Sequence, residues 1–407
     1  MSETPSVVYL VKVEPGANNN KFWKAISKGD HFDVEYGRVG GTAQTYSYPI
    51  SQWNKKYNEK LKKGYVDRTD LVSDLIAKEK PASDGYREIE DKAIAEIVAR
   101  LQAMARKAVA ENYTISSSKV TMAMVNAAQD QLAKLSTMGD ASVEAFNRAL
   151  IELFGIIPRK MGHVSAYIAT QPSDYGKIVE REQDLLDVMR GQVYVPPVQP
   201  AETEGDNLHT DEAPTVLEAK GLVFEEAGAD DITKIKSCLG SCADKFCRAW
   251  RVRNLSTQKA FDEYVKDGMR TKLLWHGSRN ENWWSIVGNG LVLRPTNAVI
   301  TGKMFGYGIY FATKARKSLG YTSLSGSYWA RGSSSSAFMG LYEVAYGKPY
   351  DVHSFDSRFY SLNDEGLQKL CPGANCLHAH EGQMLRNDEI IVYKECQTTI
   401  KYLVELK

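Results

Sequence analysis

Apolar and polar positions alternate over the first part of the chain. Within residues 5–66, the segments VVYLVKV, KFWKAI and HFDVEYGRVG are short, partly alternating and bounded by Gly or Asn, which is typical of β-strands. The segment SQWNKKYNEKLKKGY that follows has the spacing of one helix with a basic face. This part of the chain is therefore predicted to form a small β-rich unit.

The pattern changes to helical spacing over residues 85–190. Apolar side chains recur every three or four residues in successive runs, which are Ile89 to Ala108, Val120 to Leu135, Val143 to Phe154 and Ile178 to Met189. Such runs predict a helical bundle with one helix for each run.

A third change of pattern separates the bundle from the rest of the chain. Residues 196–214 hold four prolines, and residues 199–231 hold ten acidic residues against one basic residue, which is typical of a linker. Beyond it, WRVRNL, KLLWHGS, GIYFA, LYEVAYG, EIIVY and IKYLVEL are short β-type runs separated by turn residues. They predict a mainly antiparallel β domain with a few helices.

The sequence thus predicts an α+β multidomain protein, and 407 residues suit several domains. The expected parts are a small β-rich domain at 1–80, an all-α helical bundle at 85–195, a linker at 196–215 and a mainly antiparallel β domain at 216–407.

Composition adds little about partners. The net charge of +1 favours no particular class of partner. The hydrophobic share of 43% is enough to form buried cores. Residues 1–66 hold ten basic and six acidic residues, which favours an anionic partner, although a solvated helix face explains Lys55–Lys63 equally well. The N-terminus has no pattern of a secretory signal, apolar runs are too short for a membrane span, and the six cysteines are typical of reduced thiols. We therefore expect an intracellular protein with no membrane partner, nuclear in a eukaryote and cytoplasmic in a bacterium.

Candidate chemistry begins in LLWHGSRNENWW. This segment places His276 and Gly277 at the end of an apolar strand, where a side chain is held rigidly at the mouth of a cleft. The neighbouring glycine lets a ligand approach the backbone. The alternative is a core histidine in a turn.

Two further segments carry candidate residues. GKMFGYGIYFATKARKSLGYTS matches neither a P-loop nor a dinucleotide fingerprint, and it predicts a strand ending at Tyr310 and then a helix with Lys317, Ser318 and Tyr321. The two tyrosines could sandwich a flat heteroaromatic ring or could be packing residues. In RNDEIIVY, an acid at the start of an apolar strand is either solvated or a placed catalytic carboxylate, and this acid is Glu389.

Together, and in this order, HGS, GYGIYFA with K-S-x-x-Y after it, EVA-x-G and E-I-I-V-Y resemble the catalytic signature of the poly(ADP-ribose) polymerase family. EYGRVG resembles the motif of the family's WGR domain with Tyr36 in place of the tryptophan. LFGIIP and VEREQDLLDVM resemble its helical regulatory domain. The resemblance implies an ADP-ribosyltransferase that consumes NAD⁺, releases nicotinamide, needs no metal and modifies acceptor proteins, itself included.

The resemblance also implies roles in seating NAD⁺. His276 would hydrogen-bond the adenosine ribose. The backbone of Gly277 and the hydroxyl of Ser318 would hold the nicotinamide carboxamide. Tyr310 and Tyr321 would lie on the two sides of the nicotinamide ring.

Four more residues take roles from the resemblance. Ser278 and Asn282 would face the adenosine side, and Lys317 would line the nicotinamide pocket near the acceptor. Glu389 would bind the 2′-hydroxyl of the nicotinamide ribose and polarise the nucleophile. A carboxylate there would stabilise the oxocarbenium-like ribose that forms as nicotinamide leaves.

In the family that the sequence resembles, the residue types of His276, Tyr310 and Glu389 accompany chain elongation, so the resemblance favours a polymerase over an enzyme that adds single units. Two features favour a mono-ADP-ribosyltransferase instead, acting on protein or on nucleic-acid ends. Lys303 replaces an aromatic residue that is common in relatives, and the segment between Tyr350 and Glu389 is compact. A non-catalytic scaffold that binds NAD⁺ or DNA is a further alternative.

The resemblance implies that the WGR-like unit binds DNA with strand breaks, through Tyr36 stacking on a sugar or base and Arg38 contacting phosphate or the neighbouring helical domain. The alternative is a hairpin element that holds the small sheet. The group Cys371, Cys376, His378 and His380 could separately bind zinc, although its spacing is not that of a standard finger.

Overall fold

The computed structural model describes residues 7–69, 86–113, 120–193, 213–266, 268–293, 304–328, 330–382 and 385–407. Lys303 and most of the predicted linker at 196–215 lie outside these residues. The chain divides into two compact units, which are described separately below. The first contains the described residues up to 69 and from 106 to 193, and the second contains those from 86 to 105 and from 213 onward.

The first unit begins with a small antiparallel sheet in the order β4-β3-β2-β1-β5. Its elements are β1 (Val7–Glu14), β2 (Asn19–Ser27), β3 (His31–Arg38), β4 (Gln44–Pro49), α1 (Trp53–Lys62) and β5 (Val66–Asp67). Alternation in β3 buries Phe32 and Val34, and these side chains pack against Trp53 of α1. One face of the sheet therefore carries the core of this part, as the alternating sequence predicted.

Helices form the rest of the first unit. They are the C-terminal part of α2 (Lys92–Asn112), then α3 (Met122–Ser136), α4 (Val143–Ile156) and α5 (Tyr175–Gln192). Thr121 and Ser142 cap α3 and α4 by accepting hydrogen bonds from backbone N–H groups of the first turn. The rings of Phe146 and Tyr175 stack with centroids 3.9 Å apart and join α4 to α5.

A buried ion pair lies among these helices. Arg159 and Glu182 are each 2% exposed, and their Nε and Oε2 atoms are 2.9 Å apart. The Arg159 guanidinium also donates to the main-chain oxygen of Asn112 at 2.7 Å and lies over the rings of Tyr113 and Tyr167. Its charge is therefore compensated from several sides.

The second unit is built on a nine-stranded sheet in the order β11-β12-β13-β9-β8-β10-β14-β7-β6. Its strands are β6 (Leu222–Glu226), β7 (Phe246–Asn254), β8 (Thr271–Gly277), β9 (Ile309–Ala312), β10 (Ala337–Ala345), β11 (Pro349–Val352), β12 (Cys376–Ala379), β13 (Glu389–Val392) and β14 (Thr398–Leu406). Its helices are the N-terminal part of α2, α6 (Val216–Ala219), α7 (Ala229–Leu239), α8 (Leu255–Tyr264), α9 (Trp283–Asn289), α10 (Ala315–Leu319) and α11 (Asp364–Leu370). The strands pair antiparallel except β11 with β12, so the α+β class and the mainly antiparallel domain are confirmed.

Two details differ from the sequence prediction. The strand predicted to end at Tyr310 continues to Ala312, because Ala312 pairs with both Trp275 and Glu389. The helix after it ends at Leu319, so Tyr321 follows α10 instead of lying on it.

In the part of the chain that the structure describes, no helix has both the length and the apolar character that a membrane span needs.

Candidate active site

Three neighbouring strands of the second unit carry the residues that the sequence singled out. β13 lies beside β9, with Glu389 opposite Ala312 and Ile391 opposite Tyr310. β9 lies beside β8, which ends with His276 and Gly277. Residues far apart in the chain are therefore brought to adjacent strands.

The Glu389 carboxylate forms an ion pair with the Lys317 ammonium of α10. The two side chains are 12% and 14% exposed, so solvent and salt screen the pair only weakly. The short helix α10 therefore holds the Lys317 ammonium against Glu389, the first residue of β13.

Two tyrosine hydroxyls lie near this carboxylate. The Tyr310 hydroxyl donates to the main-chain oxygen of Gly306 and accepts from the N–H of Phe305, both at 3.0 Å. Burial, together with the charge of Glu389, raises the pKa of Tyr310. Desolvation and then the charge of Glu389 raise the pKa of Tyr321 to about 12. Both hydroxyls therefore stay protonated at neutral pH. Tyr321 is 42% exposed, so the site is open to solvent on the side of this residue.

The His276 ring is fixed from several sides. Its Nδ1–H donates to the main-chain oxygen of Tyr310 at 3.0 Å, since a carbonyl oxygen can only accept. The rings of Phe311 and Tyr342 meet it edge-on. The hydrogen bond selects the tautomer with the proton on Nδ1.

Gly277 allows a close approach between β8 and α10. A Cβ at this position would lie 2.0 Å from the main-chain oxygen of Ser318. The Ser318 hydroxyl donates to the main-chain oxygen of Trp275 at 3.0 Å, which fixes α10 against the same strand. Only glycine fits here, because the obstructing atoms belong to the backbone.

Gly277→Ala is expected to displace α10, because overpacking costs about 1–3 kcal/mol of stability. The misplaced site residues should lower kcat/KM by about ten- to a hundredfold. Gly288→Ala is the matched control, because the nearest atom to a Cβ there is Lys220 Cδ at an ordinary 3.8 Å. The rate of NAD⁺ cleavage, the activity that the sequence resemblance implies, measures both variants. Equal losses in the two would contradict the special role of the contact.

The remaining predicted residues lie at the end of β8. The Asn282 amide donates to the Ser278 hydroxyl at 2.9 Å, so these two side chains form one polar pair. Next to them, the buried Asn280 donates to the main-chain oxygen of Ser336 at 3.0 Å and anchors the turn.

Sequence reasoning missed the residues that hold the loop before Tyr310. A Cβ on Gly306, whose φ is +71°, would lie 2.2 Å from the main-chain oxygen of Leu362. The Tyr393 hydroxyl donates to the main-chain oxygen of Phe305 at 2.7 Å. Tyr393 closes the E-I-I-V-Y segment, but that segment gives it no role, and no local pattern marks Leu362, because both contacts arise only on folding.

In the first unit, Tyr36 and Arg38 face different surroundings. Tyr36 is half-buried against the core of the small sheet, with the Lys60 ammonium 5.5 Å from its ring centre. Arg38 donates to the main-chain oxygens of Asn18 at 2.7 Å and Gly162 at 2.6 Å. Arg38 thus ties the small sheet to the segment between α4 and α5, which is one of the two contacts that the sequence suggested for it.

The structure groups potential metal ligands differently from the Cys371, Cys376, His378 and His380 set considered in the sequence. Among the residues that the structure describes, the potential metal-ligand atoms of Asp351, His378 and His380 lie together, and neither Cys371 nor Cys376 belongs to this group. The Cys376 thiol instead donates to the main-chain oxygen of Tyr346, and burial raises its pKa to about 12.

Comparison with known proteins gives two family matches. Residues 232–407 match the model described as poly(ADP-ribose) polymerase catalytic domain, and residues 6–72 match the WGR domain. The putative poly [ADP-ribose] polymerase-like 100L of Invertebrate iridescent virus 6 is 31% identical, over 45% of this chain and 97% of that protein. Poly [ADP-ribose] polymerase 2 of Homo sapiens is 30% identical, over 37% of this chain and 28% of that protein. Protein mono-ADP-ribosyltransferase PARP3 of Homo sapiens is 22% identical, over 96% of this chain and 85% of that protein.

Proposed function

This chain belongs to the poly(ADP-ribose) polymerase family and is an NAD⁺-dependent ADP-ribosyltransferase, and we propose that it builds ADP-ribose chains on acceptor proteins when broken DNA engages its N-terminal domain. The observation that carries the polymer part is the Glu389 carboxylate, which is mostly buried and paired with Lys317. Its charge also acts on the hydroxyls of Tyr310 and Tyr321. A fixed charge in such a place acts on a transition state without reorganisation.

Glu389 is the residue that acts on the ribose. As nicotinamide leaves, the ribose gains oxocarbenium-like positive charge, which a nearby carboxylate stabilises more than it stabilises the ground state. The same carboxylate polarises the hydroxyl of the acceptor as a general base. Lys317, held against it, lines the nicotinamide side of the pocket. This chemistry draws on the carboxylate and requires no metal ion.

The other residues of the site position NAD⁺. The backbone of Gly277 and the hydroxyl of Ser318 receive the carboxamide of nicotinamide, and Tyr310 and Tyr321 flank its ring. His276 is held by the hydrogen bond from its Nδ1–H to the main chain, which supports a role for this ring in binding the adenosine ribose. The polar pair of Ser278 and Asn282 faces the adenosine side. Holding the reactants in this way contributes to the rate enhancement, because their translational and rotational entropy is lost on binding and not in the chemical step.

The DNA part of the proposal rests on the first unit. Its sheet lies in the segment that matches the WGR domain, and the exposed lysines Lys55, Lys62 and Lys63 lie on or next to α1. Lysines on one helix suit the sequence-independent contacts that phosphates make. Arg38 reaches from this sheet to Gly162, so a change at the sheet is passed to the helices.

A second candidate function is single-unit transfer. A relative matched over 96% of this chain is a mono-ADP-ribosyltransferase by name, which supports this alternative. Products resolved on a gel separate the two functions, since only a polymerase gives a ladder.

The test is incubation with labelled NAD⁺, with and without nicked DNA, followed by gel separation of the products. We expect a ladder that strengthens with DNA. Arg38→Gln removes charged hydrogen bonds to the main-chain oxygens of Asn18, Met161 and Gly162, and it is expected to lower the stimulation by DNA about tenfold while retaining the DNA-free rate. The control is Arg148→Gln, because Arg148 is exposed on α4 of the same unit and pairs with the exposed Glu144 across one turn.

Three outcomes count against the proposal. Single bands instead of a ladder would favour mono-ADP-ribosylation. Equal labelling with and without DNA would remove the break-sensing role. Equal behaviour of the two arginine variants would remove the coupling assigned to Arg38.

A further inference from the structure

A cluster of histidines and aspartates lies at the edge of the large sheet. β11 pairs with β12 in parallel, and Asp351 of β11 lies directly opposite His378 of β12. His380 lies two residues after His378, so strand alternation turns both imidazoles to one face. Their ring centroids are 3.9 Å apart.

The potential ligand atoms of these three residues converge. His380 Nε2 is 2.7 Å from Asp351 Oδ1, and His378 Nδ1 is 3.7 Å from the same oxygen. All three ligand atoms lie within 4.8 Å of one another. Zinc binds imidazole nitrogen and carboxylate oxygen at about 2.0–2.2 Å, so small side-chain movements bring the three atoms into its coordination sphere.

We propose that Asp351, His378 and His380 form a Zn²⁺ site, with water completing the coordination. Two imidazoles and a carboxylate are a ligand set that zinc accepts. Asp351 is 49% exposed, which leaves a path for the ion, while His378 is only 8% exposed and holds the inner side. The site is distinct from the donor site and needs neither polymer formation nor DNA binding.

Outer contacts orient His378 for this task. Its Nε2–H donates to Asp388 Oδ2 at 3.1 Å, an arrangement in which a carboxylate fixes the tautomer of a metal-binding histidine. The lone pair on Nδ1 then accepts from the Tyr346 hydroxyl at 2.8 Å. Zinc would take over this lone pair and displace the hydroxyl. The second oxygen of Asp388 accepts from the N–H of Glu381, so the outer carboxylate is itself held in place.

The location gives the ion a structural effect. Ala379, which lies between the two histidines, is opposite Glu389 in the sheet, and Asp388 immediately precedes Glu389. A bound ion would therefore join the edge strand β11 to β12, beside the segment that presents the proposed catalytic carboxylate. Because metal binding couples to folding, zinc should raise the midpoint of thermal unfolding.

In the experiment, a chelator first removes bound metal from the whole chain, and the chelator is then removed. Calorimetry follows the titration of the metal-free protein with zinc chloride, and elemental analysis measures the zinc content of the resulting complex. We expect one zinc per chain at this site and a higher unfolding temperature. His380→Ala and Asp351→Asn should each weaken zinc binding by about a hundredfold or more, and Asp388→Asn by about ten- to a hundredfold.

His353→Ala is the matched control. The His353 ring stacks on His380 with centroids 4.4 Å apart, but it offers no atom to the ligand group. It should bind zinc within about threefold of the wild type, because the variant loses a ring contact but neither a ligand nor a hydrogen bond to a ligand. Circular dichroism of the metal-free variants establishes that each is folded. The proposal is overturned if the wild type binds no zinc at micromolar concentrations, or if His380→Ala and His353→Ala bind it equally.

Discussion

Glu389→Gln is expected to lower nicotinamide release by about a thousandfold, the range typical of losing a general base or one transition-state stabiliser. Glutamine keeps the shape of the side chain and can still accept a hydrogen bond from Lys317. It cannot offer the negative charge that the ribose needs as nicotinamide leaves. NAD⁺ binding, measured by calorimetry, should change far less than kcat, because the lost interaction belongs mainly to the transition state.

The control for this variant is Glu381→Gln. Glu381 is also paired with a lysine, Lys314, but the two side chains are 50% and 56% exposed. A surface pair contributes little, so release should stay within about twofold of the wild type. If Glu389→Gln kept more than about a tenth of wild-type release, with an unchanged unfolding temperature, the role of the carboxylate would be refuted.

Glu182→Gln is expected to destabilise the helices of the first unit by about 3–5 kcal/mol. The change leaves the Arg159 guanidinium buried, at 2% exposure, without its anionic partner. A buried ion pair adds little net stability, because desolvation of the two charges offsets their attraction. Removing one partner is costly, because the remaining charge is then buried in a low-dielectric interior without compensation. Hydrogen exchange of the α4 and α5 amides should speed up by about a hundredfold or more, and the urea midpoint should fall.

Two further variants make this result interpretable. Glu152→Gln breaks an exposed pair with Lys134, whose closest atoms are 3.6 Å apart, and should change stability by less than about 0.5 kcal/mol. Replacing Arg159 and Glu182 together by methionine removes both charges and should recover part of the loss. A double variant no more stable than Glu182→Gln alone would show that the stranded charge is not the cause.

Local patterns in the sequence predicted the elements well where those elements are long. The helical runs of α3 and α4 come after Thr121 and Ser142, whose side chains cap them, so spacing and cap agree. The apolar runs of β8 and β13 are strong enough to place His276 and Glu389 at strand ends. Such signals need only neighbouring residues.

Features that depend on distant residues could not be predicted in the same way. β11 and β12 have four residues each, too few for a periodic pattern, and their parallel pairing follows from the fold. The meeting of Lys317 with Glu389 and the contact of Gly277 with Ser318 also arise only when the sheet has formed. The membership of the histidine cluster was missed for this reason, because Asp351 comes from another strand.

The position of β14 in the large sheet has a consequence for how the protein is made. This strand follows every other strand of the sheet in the chain, yet it lies inside the sheet, between β10 and β7. A growing chain emerges from the ribosome with its N-terminal end first, so β7 and β10 must wait for β14 before their facing edges are paired. These pairings join distant residues, which favours slow folding. We therefore expect nascent chains to expose two open strand edges until β14 has left the exit tunnel, which makes this interval the one in which a chaperone matters most.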